Sequence, residues 1–140
     1  MSSSPTDDLE LAEALRAAVG DLVRRIKPLE AMPAGQLAAL GYLGREGALS
    51  IADLARRESV RHQSMTRTIG LLAEQGLVTL SPDGLDRRQV VVVITEAGAT
   101  RLAEARHTRA AAVATALRGL TPEERAIAER IPEILRKLTP

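Results

Sequence analysis

Cysteine is absent from this chain, which excludes disulfides, thiolate metal sites and cysteine redox switches. Tryptophan and phenylalanine are absent too, and tyrosine occurs once, as Tyr42. Single-stranded nucleic acid is usually gripped by stacking its bases on aromatic faces, so composition argues against that class. His62 and His107 are the only histidines and lie far apart without ligand spacing, which argues against a metal centre. No apolar run approaches the roughly 20 residues of a membrane span. The start, MSSSPTDDLE, has neither the basic residues nor the apolar stretch of a secretory signal, so a cytoplasmic protein is expected. An excess of one charge is lacking as well: 19 Lys and Arg stand against 18 Asp and Glu, a net of +1. Overall charge therefore does not announce a nucleic-acid binder, and any electrostatic case must rest on local clustering. P-loops, Gly-rich dinucleotide turns and nucleophile elbows are missing, and the carboxylates are scattered over helix faces. An enzyme is disfavoured, and no cofactor is expected.

What is present is mostly helix. Leu11, Leu15, Val19, Leu22 and Ile26 recur at three- and four-residue steps and predict a helix over about 7–27, with 1–6 irregular. Acids at Asp7, Asp8 and Glu10, and bases at Arg24, Arg25 and Lys27, suit the helix dipole. A second helix is predicted over about 34–45 and a third over about 50–57, the latter with Ser50 as N-cap and Asp53 at the third helical position. A fourth begins near Arg61. LVTL (77–80) and the β-branched QVVVVIT (89–95) predict two strands, joined by the turn-rich SPDGLDRR (81–88) into a β-hairpin. Thr95 then caps a helix over about 96–118. Thr121, Pro122 and Glu124 form a capping box for a last helix over about 122–138, in which Pro132 predicts a kink or a break.

The stretch VRHQSMTRTIGLLAEQGLV (60–78) is the most informative. At 100° per residue Met65, Ile69 and Leu72 fall on one side, a core face. His62, Gln63, Thr66, Arg67 and Gly70 fall on another, with nothing apolar to bury. A short helix precedes this one across a tight turn, and a hairpin follows it. That order is a helix-turn-helix with a wing, whose second helix enters the major groove and reads base edges with Arg, Gln and Ser/Thr. Residues 56–67 hold Arg56, Arg57, Arg61 and Arg67 against Glu58 alone, and the hairpin tip adds Arg87 and Arg88. An arginine on a thin wing suits a narrow minor groove. Asp86 beside it would repel phosphate, so its role is internal, holding a guanidinium in one rotamer.

These segments resemble the MarR family of bacterial transcription regulators. MTRTIGLLAEQGLV is similar to the family's recognition helix and the run into its wing. DRRQVVVVIT (86–95) is similar to its Asp-x-Arg wing, and GLTPEERAIAERIPEIL to its C-terminal helix. The resemblance implies a mainly α fold with a small β-hairpin wing in one domain spanning 1–140. Its winged helix-turn-helix lies at about 33–95, and its dimerisation helices at about 7–28 and 96–138. It implies a homodimer joined through Leu11, Leu15, Leu22, Ile131 and Leu135, one winged helix per subunit meeting a pseudo-palindromic site. It places Gln63, Ser64, Thr66 and Arg67 at the major groove of double-stranded DNA, with Arg61 and His62 at the start of the helix. Arg88, flanked by Arg87 and supported by Asp86, would enter the minor groove. Many members are repressors released by a small anionic or aromatic ligand. Arg61 and His62 depart from the small residues that often open this helix, and the missing cysteine removes a peroxide-sensing mechanism.

Two readings stand beside DNA binding. A winged helix can dock a protein instead, which a near-neutral net charge favours. Tyr42 either lines a ligand pocket or packs with its hydroxyl at the surface.

Overall fold

The computed structural model describes residues 4–26, 32–82 and 89–139. In chain order the elements are α1 (Pro5–Arg25), α2 (Ala34–Glu46), β1 (Leu49–Ser50), α3 (Ile51–Glu58), α4 (His62–Glu74), β2 (Val78–Pro82), β3 (Val90–Ile94), α5 (Glu96–Leu117) and α6 (Pro122–Lys137). The expected mainly α fold with a small wing is therefore what the chain adopts. Its contacts group into two units, one from Leu29–His107 and one joining Met1–Pro28 to Thr108–Pro140, so the division falls inside α5.

The unit over 29–107 carries the core. Leu40, Leu54, Ile69, Leu72 and Val92 are wholly removed from solvent, and α2, α3, α4 and the sheet each contribute to the cluster. The sheet is antiparallel, in the order β1-β3-β2. Val92 sits at its centre, opposite Leu49 on one side and Leu80 on the other. β1 is a correction to the two-strand expectation. Two residues cannot display a strand period, and Leu49 and Ser50 become a strand only because β3 pairs with them.

Ser50 also caps α3, its hydroxyl accepting from the Asp53 N–H at 3.1 Å. The reciprocal half of a capping box is not formed, because the Asp53 carboxylate pairs with Arg56 instead. The β3–α5 junction is tied more firmly. The Thr95 hydroxyl donates to the Gly76 carbonyl at 2.7 Å and accepts from the Gly98 N–H at 3.0 Å, while the Thr95 N–H donates to the Leu77 carbonyl at 3.0 Å. The expected Thr95 cap thus also holds the end of β3 to the turn that opens β2.

In the other unit, α1 begins at Pro5 and not at Asp7. Ser4 and Asp7 make a capping box, Asp7 N–H to Ser4 Oγ at 3.2 Å and Ser4 N–H to Asp7 Oδ2 at 3.4 Å, with proline in the first turn. Helix α6 runs unbroken through Pro132, so it is not in two pieces. No residue of α1 or α6 is buried. Leu11 is 59% exposed, Leu22 50% and Ile131 42%; Leu15 is also exposed and Leu135 half-buried. Among the described residues no helix is long and apolar enough to cross a membrane.

The start of α6 is the capping box that its sequence predicts. The Thr121 hydroxyl accepts from the Glu124 N–H at 3.2 Å, and the Glu124 carboxylate accepts from the Thr121 N–H at 3.0 Å. Hydrogen bonds from the Thr121 backbone, then from its side chain, hold the Glu124 carboxyl below the usual glutamate range. A lowered folded value stabilises above the unfolded value and is lost as pH falls through the folded one. Glu124→Gln keeps a hydrogen-bonding side chain but no charge. Its melting temperature should lie below wild type at neutral pH, and the two should converge as pH falls through the glutamate range. A gap that stays constant with pH would count against this account.

Candidate nucleic-acid interface

Helix α3 ends at Ser59, a non-glycine residue in the left-handed region at φ 56°. This turn re-aims the chain, and three residues later α4 begins. Its N-cap position is Arg61, with extended backbone and no side-chain hydrogen bond to the helix. The first amides of α4 are thus left without a side-chain cap, whereas α1, α3 and α6 each have one.

Helix α4 divides as its periodicity predicts. Met65, Ile69 and Leu72 are buried, while His62, Gln63, Ser64, Thr66, Arg67 and Gly70 are all exposed. The Thr66 hydroxyl turns back on the helix, donating to the His62 carbonyl at 2.9 Å, with the His62 Nδ1 at 3.4 Å. Thr68 does the same to the Ser64 carbonyl at 3.0 Å. Gly70 is mid-helix, where glycine costs about 1 kcal/mol relative to alanine. Outside its own helix backbone, a Cβ built there meets no atom of the described residues within 4 Å, so packing among them does not require glycine.

The arginines separate into two groups. Arg57 is held by Glu46, its Nε donating to both carboxylate oxygens at 2.9 and 2.8 Å. That hydrogen bond, with the nearby Glu46 and Asp53 charges, raises Arg57 above the ordinary arginine value. Arg56 pairs with Asp53. The basic cluster read from residues 56–67 is thereby corrected, since the neutralising acids lie outside that window in sequence and enter it by folding. Arg61 and Arg67 form no ion pair among the described residues. Tyr42 is half-buried against the core, and its hydroxyl donates to the Arg57 carbonyl at 3.1 Å, while Arg45 stands 5.2 Å over its ring. The structure therefore favours the packed reading of Tyr42. Asp86, Arg87 and Arg88, expected at the wing tip, lie outside the described residues.

What sequence reasoning missed is the support beneath this face. Glu46 and Asp53 restrain the arginines at the end of α3, and Thr95 locks the wing to the turn after α4. None of these contacts leaves a short-range signal apart from the Asp53–Arg56 spacing of three.

A model of the MarR family matches residues 32–89, the span that carries α2 to the edge of β3. An uncharacterized HTH-type transcriptional regulator of Mycobacterium bovis is 38% identical over 131 residues, covering 91% of this chain and 92% of its own. Among solved structures, a putative transcriptional regulator from Pseudomonas aeruginosa superposes with a TM-score of 0.79 at 27% identity, covering 98% of this chain and 99% of the other. The Bordetella bronchiseptica regulator BpsR, whose DNA binding is regulated by 6-hydroxynicotinic acid, superposes with a TM-score of 0.61 at 27% identity over 91% of each chain. With its helix-turn-helix, its wing strands and relatives matched over nearly its whole length, the chain belongs to the MarR family of transcriptional regulators.

Proposed function

We propose that the protein is a homodimeric, sequence-specific regulator of double-stranded DNA, acting as a repressor in the cytoplasm. The observation that carries this reading is the exposed face of α4, polar throughout its first two turns and bearing Arg67, which forms no ion pair among the described residues. Gln63, Ser64, Thr66 and Arg67 meet the major groove, with His62 at the helix start. Arg61 and the uncapped amides of α4 face a phosphate, a use for which helix N-termini are suited. Arg88, steadied by Asp86 and accompanied by Arg87, enters the adjacent minor groove. The exposed stripes through Leu11, Leu15 and Leu22 on α1, and Ile131 with Leu135 on α6, are covered by the second subunit, since apolar faces of this extent are unusual in monomers. The dimer then presents two equivalent helices to a pseudo-palindromic operator. A small anionic or aromatic effector is the candidate for releasing the DNA, by likeness to BpsR, whose DNA binding 6-hydroxynicotinic acid regulates.

Arg67→Ala tests the reading. The fold should remain within about 0.5 kcal/mol of wild type, as surface substitutions do. Affinity for the DNA upstream of its own coding sequence should fall roughly tenfold to a hundredfold, and the salt dependence of log K should flatten if Arg67 also contacts a phosphate. Anisotropy on that fragment and on scrambled DNA, at two salt concentrations, measures both. Unchanged affinity in Arg67→Ala and Arg88→Ala would refute the assignment of these residues. Binding that ignores salt would instead favour a protein partner, the reading that the net charge of +1 supports.

A further inference from the structure

We infer that Gly70 sets how deeply α4 seats in the major groove, by leaving bare helix surface against an uncharged base edge at the groove floor. The inference rests on the DNA-binding reading above and adds a specificity-determining position to it. Gly70 lies in the interior of a 13-residue helix, where its conformational freedom is a liability and not a need. Unlike Gly98, it is not required by packing among the described residues, for a Cβ at position 70 meets none of their atoms outside its own helix within 4 Å.

Its place on the helix explains it. Residues four apart lie on one row, so His62, Thr66 and Gly70 form a line that loses bulk with each turn. The Thr66 hydroxyl is folded back on the His62 carbonyl, which lowers the profile further. Gln63 and Arg67 flank this row and project beyond it. Glu74, four residues past Gly70 and exposed, keeps phosphate away from this end of the face. The group that meets Gly70 is therefore a base edge, such as a thymine methyl, and not the charged backbone. A methyl group at position 70 would stand about 1.5 Å proud of the helix and lift Gln63 and Arg67 off their bases together.

The test uses the full-length chain, the duplex that the wild-type protein enriches from a random-sequence pool, and a scrambled duplex at low salt. Gly70→Ala should melt at or above the wild-type temperature, by about 2–4 °C, because alanine favours the helix. Its affinity for the enriched duplex should fall on the order of tenfold, as overpacking of a fitted contact does. Its affinity for scrambled DNA and its salt slope should stay as in wild type, since no phosphate contact is lost. Gly70→Leu should lose more. Retention of enriched-duplex affinity within about twofold in Gly70→Ala, or an equal loss on both duplexes, would overturn the inference. If Arg67→Ala still abolishes selectivity in that case, the DNA-binding reading survives. Failure of the wild-type protein to enrich any duplex would overturn both.

Discussion

Gly98→Ala should destabilise the 29–107 unit by at least about 3 kcal/mol, despite placing a better helix former in the first turn of α5. The reason is steric. A Cβ at position 98 would stand 2.1 Å from the Leu77 carbonyl oxygen and 2.8 Å from Ile94 Cγ1. Backbone cannot rotate away as a side chain does, so α5 and the Gly76–Leu77 turn must part by roughly 1 Å. That displacement strains three hydrogen bonds at once, from the Thr95 N–H to Leu77, from the Thr95 hydroxyl to Gly76 and from Gly98 to Thr95. Each is worth about 0.5–1.5 kcal/mol net, and a buried group left unpaired costs more. Urea unfolding at fixed protein concentration measures the loss, and a variant within about 1 kcal/mol of wild type would show that the junction yields. Because this junction also anchors the wing strands, DNA binding should weaken at temperatures where the variant is still folded.

Leu54→Ala should cost about 2–5 kcal/mol, the range for emptying a closely packed leucine site. Leu54 is wholly buried in α3, where it belongs to the same apolar cluster as Met65, Ile69 and Leu72 of α4. The cavity would lie between the two helices of the helix-turn-helix, and natural domains hold only about 5–15 kcal/mol in reserve. The contrast with Arg67→Ala is the informative part. Arg67→Ala should lose DNA affinity with its stability intact, whereas Leu54→Ala should lose stability while its folded fraction still binds. A loss below about 1 kcal/mol would mean that α3 and α4 close over the vacated volume.

Much of the candidate site was legible because a helix announces its faces through neighbours three and four residues apart. Met65, Ile69 and Leu72 are inside, and Gln63, Thr66 and Arg67 outside, as the 100° step predicts. The capping boxes are equally local, and Thr121 with Glu124 forms as its spacing requires. Ser4 with Asp7 shows the limit of the same logic. The signal was present, but MSSSPT has the composition of a frayed end, and the helix nevertheless begins at Pro5. The arginine cluster failed for a different reason. Charge counted over a window of twelve residues takes no account of acids that approach through space, and Glu46 reaches Arg57 across eleven positions.

By itself, then, the sequence determined the order of helices and wing strands, the two faces of α4 and the family, because each is written in short-range periodicity, turn residues and motif spacing. The tertiary structure alone decided that Leu49 and Ser50 are a strand, that Glu46 neutralises Arg57, and that the Tyr42 hydroxyl is committed to the end of α3. It alone distinguishes Gly98, which a neighbouring backbone forces, from Gly70, which packing among the described residues does not require. The physical reason is common to all of these. Partners that are distant along the chain, from eleven to more than forty residues apart, are chosen by how the elements pack, and no local pattern records that choice.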